Sequence, residues 1–111
     1  NVPNAASAFA EQLPYSFSIK LFRQIIQEFI TQLKMLKELR LAAHVERYQP
    51  LDQQQQLRVW SLFVNNPNVQ QEVKKSGKSR EEVFRGFLAR YDMKLKSELT
   101  EICRHIDVYN A

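Results

Sequence analysis

The triplet Gly77-Lys78-Ser79 carries the residue types that close a phosphate-binding loop, in which backbone amides and a lysine cradle an anion. Such a loop requires another glycine five positions before Gly77, after a strand. That place is held by Glu72, whose carboxylate repels phosphate, and the residues before it have the pattern of a helix. A glycine that stops one helix and a serine that starts the next account for the same three residues.

The surrounding charge is a separate matter. Lys74, Lys75, Lys78, Arg80 and Arg85 lie within twelve positions and form the chain's best candidate for contact with an anion or a nucleic acid. Residues 52 to 90 also read as helix, short turn, short helix, basic loop and helix, from which a helix-turn-helix could be assembled. The helix after the Asn-Asn-Pro turn is short, however, and carries few base-reading side chains, of which Gln70 and Gln71 could read adenine. A second basic run, from Lys20 and Arg23 through Lys34, Lys37 and Arg40 to Arg47, is interrupted by Glu28, Glu38 and Glu46, as expected of a solvated helix face.

Residues for covalent or metal chemistry are few. His44 and His105 fit no ligand spacing, and Cys103 stands two residues from His105, on a different face of any helix. His44 would approach Cys103 only if two long helices ran antiparallel. Glu81, Glu82, Glu98, Glu101 and Asp107 fit helix starts or solvent positions. Neither an enzyme nor a metal, cofactor or small-molecule site is expected.

The elements that must position these groups are helical. The 111 residues include 44% hydrophobic and 25% charged residues, enough for one buried core. Two glycines and four prolines are too few for the turns of a multi-stranded sheet. From Ser18 to about Tyr48, Phe22, Ile26, Phe29, Leu33, Leu36 and Ala43 recur at helical steps, predicting one helix of roughly 45 Å. Asp52 caps a helix carrying Leu57, Trp60, Phe63 and Val64, and Asn66-Pro67 opens a short one that Gly77 stops. Ser79 and Glu82 form a capping-box sequence for a last helix reaching Tyr109. A further short helix is expected over residues 4 to 13, between Asn4 and Pro14.

The expected fold is an all-α bundle forming a single domain over residues 1–111, and a first residue of Asn rather than Met suggests one excised from a longer protein. Its two long amphipathic helices, about 18–48 and 79–109, pair antiparallel and bracket two short ones. Its seams leave Ile30, Leu41 and Met93 for another helix or a second copy, which points to a protein-interaction or oligomerisation module. Nucleic-acid binding through residues 74–85 is the alternative, favoured by a net charge of +4. With Cys103 as the single cysteine no internal disulfide can form, and no apolar run approaches the ~20 residues that span a bilayer. A soluble, intracellular protein is expected.

Overall fold

The computed structural model describes residues 15–110 and, of these, the side chains of all but 98, 102 and 104–110; the helix expected over residues 4 to 13 lies outside them. Five helices follow in order: α1 (Ile19–Met35), α2 (Leu39–Glu46), α3 (Gln53–Val64), α4 (Pro67–Ser76) and α5 (Arg80–Asn110). There is no strand among the described residues. The described part of the chain is therefore all-α.

The helix expected from 18 to 48 is two helices. Ser18 caps α1, accepting the Leu21 N–H on its hydroxyl at 3.4 Å. Phe22, Ile25, Ile26, Phe29, Ile30 and Leu33 form its buried stripe. It then ends without a glycine or proline. Lys37 adopts φ +60, the Glu38 N–H donates to the Leu33 carbonyl at 2.8 Å and the Lys37 N–H to the Lys34 carbonyl at 3.0 Å. These crossed hydrogen bonds make a Schellman stop, with lysine in the left-handed position that glycine usually holds.

α2 ends in the same way. Tyr48 has φ +53, with Gln49 N–H to His44 carbonyl and Tyr48 N–H to Val45 carbonyl, both at 3.1 Å. Here the packing compensates, since the Tyr48 ring meets Phe22 at 6.2 Å and Tyr91 at 5.6 Å between centroids. The following turn is tied by His44, whose Nε2 donates to the Pro50 carbonyl at 2.6 Å.

The later helix boundaries follow the local signals. Asp52 and Gln55 form a reciprocal capping box at α3. Asn66 caps α4, accepting the N–H groups of Asn68 and Val69, while its amide donates to the Glu28 carboxylate on α1. Gly77 stops α4 at φ +70, and Ser79 accepts the Glu82 N–H at 3.2 Å as α5 begins.

Phe87 on α5 lies at the centre of the core. Its ring meets Phe22 at 5.2 Å, Phe63 at 5.3 Å, Phe29 at 5.7 Å and Phe17 at 5.8 Å. Phe22 and Phe29 lie two turns apart on α1, roughly 10 Å along its axis. Both reach Phe87, which therefore sits between two successive turns' worth of the α1 stripe. The segment before α1 is also fastened to α5: Arg90 donates twice to the Phe17 carbonyl, at 2.6 and 3.0 Å, and Gly86 lies against the Tyr15 backbone. Among the described side chains of α5, Val83, Phe87 and Tyr91 are buried in the core, whereas Met93 and Leu99 beyond them are exposed. The first of the two expected long helices is thus broken after Met35, and its front part packs on the first half of α5.

Candidate functional site

α3 divides its apolar residues between two faces. Val59, Leu62 and Phe63 turn into the core, while Leu57 remains 67% exposed and Trp60 and Val64 are half-buried. Leu57 and Trp60 meet Phe84 of α5 to floor a groove of about 510 Å³, rimmed by Gln53, Glu81 and Arg85. One turn further along both helices, Val64 of α3 and Val69 and Val73 of α4 line a hollow of about 210 Å³ whose charged walls are Lys74 and Arg80. Trp60 to Val64 on α3 and Phe84 to Arg80 on α5 are each steps of four residues, which keep to one helix face.

The five basic candidates do not form one patch. All are exposed, and none makes an ion pair or side-chain hydrogen bond among the described residues. Lys74 and Arg80 both line the valine hollow, whereas Arg85 belongs to the larger groove with Glu81. Lys75 and Lys78 line neither.

Of the apolar candidates, Ile30 is corrected by its burial: at 6% exposure it is part of the core, because α1 turns a broad stripe toward α2 and α5. Leu41 is half-buried against that core. Met93 is 60% exposed and lines a third hollow, of about 240 Å³, with Ile19, Phe22 and Tyr48. Leu57, Trp60 and Phe84 recur at helical spacing in the sequence, which does not set them apart as groove residues. Their signal was α3 itself, which is apolar around more of its circumference than one neighbour can cover.

Other polar groups serve the fold. The Arg58 guanidinium grips the Glu38 carboxylate through Nε at 3.0 Å and Nη2 at 2.5 Å, joining α3 to the start of α2. Its hydrogen bonds and charge hold Glu38 below the usual carboxylate range against a smaller opposing effect of burial. The Tyr15 hydroxyl donates to Glu72, and that bond, then burial, then the carboxylate's charge push the phenol up to about 12. Burial, reinforced by Tyr48 and Asp92, raises Tyr91, whose hydroxyl donates to the Gln49 carbonyl at 2.5 Å.

His44 is committed to Pro50, Cys103 is a free, exposed thiol on α5, and neither lines the hollows described. Among the described residues no three His, Cys, Asp or Glu side chains gather as a metal-holding group, and no helix is long and apolar enough to cross a membrane. No protein-family model matches the chain, and no curated protein or solved structure matches it.

Proposed function

We propose that this chain is a non-enzymatic protein-interaction module that works inside the cell and docks an amphipathic helix from a second polypeptide along the α3–α5 groove. The observation that carries this reading is the exposed Leu57 beside the Trp60–Phe84 floor. An apolar side chain presented so openly beside two aromatic rings suits helix-in-groove recognition. The groove runs between two helices and is bordered by one acid and one base, so an apolar helix face is its complement in shape and polarity.

The test is a selection from a helical peptide display library on the chain, counter-selected on Leu57→Glu. The expected clones carry apolar residues at helical spacing and lose at least about tenfold in affinity on the variant. Sedimentation of both proteins shows whether a second copy fills the groove, in which case Leu57→Glu dissociates it. Failure to select any helix, together with a monomer in solution, overturns the reading. Nucleic-acid binding remains the second reading, favoured by the unpaired cations at residues 74–85.

A further inference from the structure

We infer that the α3–α5 groove and the valine hollow form one continuous docking track, and that its occupant is an amphipathic helix with an acidic end. The inference rests on the reading of the groove as a helix-docking site and adds the chemistry of the partner.

The first argument is continuity. The Trp60–Phe84 contact floors the groove, and Val64 and Arg80 stand one turn beyond on the same helices, about 6 Å along. A helix laid over Leu57 and Trp60 therefore brings its next turn over Val64 and Val73. The hollow has room for one aliphatic side chain, and Lys74 and Arg80 both line it.

The second argument is charge. Residues 74 to 85 hold five cations and two acids. Glu82 is turned to the Ser79 hydroxyl at 3.4 Å, and Glu81 borders the larger groove, so no acid lines the hollow itself. The nearby Glu72 receives the Tyr15 hydroxyl. Lys74 and Lys75 have a local reason to be where they are, since they lie in the last turn of α4 where the helix dipole favours cations. Arg80 has none. It is the first residue of α5, where the dipole disfavours positive charge and where Glu81 and Glu82 follow the ordinary preference. A cation kept against its local preference, unpaired and beside an apolar hollow, marks a place reserved for a carboxylate.

Valines also separate a peptide from a nucleic acid. Phosphates would be gripped by the cations whatever lay between them, whereas an acidic helix requires the hollow as well.

The experiment uses fluorescence anisotropy with the full chain and three helical peptides of identical leucine spacing, whose end turn is glutamate, glutamine or lysine. Duplex and single-stranded oligonucleotides serve as competitors. The glutamate peptide is expected to bind about tenfold tighter than the glutamine one, with the advantage shrinking in salt. The double variant Lys74→Glu/Arg80→Glu should erase or reverse that advantage while leaving the glutamine peptide unchanged. Val73→Thr, nearly the same in shape, should weaken the glutamate peptide and spare any oligonucleotide binding. Leu57→Glu should weaken every peptide. Equal binding of all three peptides in a Leu57-dependent manner overturns the acidic partner and leaves the docking groove standing. Absence of peptide binding, with oligonucleotides bound through Lys74 and Arg80, overturns both.

Discussion

The indole of Trp60 meets the ring of Phe84 edge to face, with centroids 5.0 Å apart and planes inclined at 67°. This contact joins α3 to α5, and both rings continue inward to Phe63, at 6.5 Å from Trp60 and 5.0 Å from Phe84. One side of the pair is core and the other is the floor of the groove.

Stability and binding should therefore separate at adjacent residues. Leu57→Glu alters only an exposed side chain, and urea unfolding should place it within about 0.5 kcal/mol of the wild type. Phe84→Ala removes packing from a half-buried ring and should cost about 2 kcal/mol or more. Helical peptides should lose affinity for both, but only Phe84→Ala should shift the unfolding midpoint.

The two glycines should fail for different reasons. A β-carbon on Gly86 would lie 2.0 Å from the Tyr15 carbonyl oxygen, which belongs to backbone and cannot rotate away. Alanine in a helix interior ordinarily gains about 1 kcal/mol over glycine, yet Gly86→Ala should lose about 2 kcal/mol in denaturant unfolding by forcing the segment before α1 off α5. Gly77 has open space around it and a φ of +70. Its alanine variant should cost about 1 kcal/mol through backbone strain alone, and Gly77→Asn should recover most of that.

At Lys37 the direction reverses. This residue holds a left-handed conformation at φ +60 with its side chain exposed, so glycine relieves the strain and removes little packing. Lys37→Gly should raise stability by roughly 0.5–1 kcal/mol despite the entropy glycine adds to the unfolded chain. Tyr48→Gly, at a similar φ, should instead destabilise because the ring contacts with Phe22 and Tyr91 are lost. Thermal unfolding of the two variants should move in opposite directions.

Tyr15 gives the pH dependence. Its hydrogen bond to Glu72 raises the phenol from 10.0 to about 12, so the folded chain holds this proton more tightly than the unfolded chain. The resulting stabilisation is complete below pH 10 and is lost as pH rises toward 12. Ultraviolet titration should show one phenol moving back toward 10 in Glu72→Gln, and the alkaline limb of the stability profile should begin earlier in that variant.

Punctuation with a stereochemical cause was legible in the amino-acid sequence. Asn66-Pro67, Gly77 and Ser79 each start or stop a helix where their side chains or backbone freedom require it. The break after Met35 was not legible, because leucine, lysine and glutamate at 36–38 are ordinary helix residues and apolar spacing resumes beyond them. Tertiary packing of α2 against α1 overrides local preference there. The basic residues at 74–85 could be found by charge, but their division between two hollows depends on how α4 and α5 meet. Leu57 was hidden for the opposite reason: its spacing from Trp60 resembles a buried stripe, and only the packing of Phe63 on Phe87 decides which face of α3 is covered.

The position of Phe87 also sets an order of events. Its ring gathers Phe17, Phe22, Phe29 and Phe63, partners separated from it by much of the chain. The earlier helices can form quickly and locally, but their aromatic side chains have no common centre until this late residue is in place. On a ribosome, the helices that precede α5 would wait, unconsolidated, for this one phenylalanine to emerge.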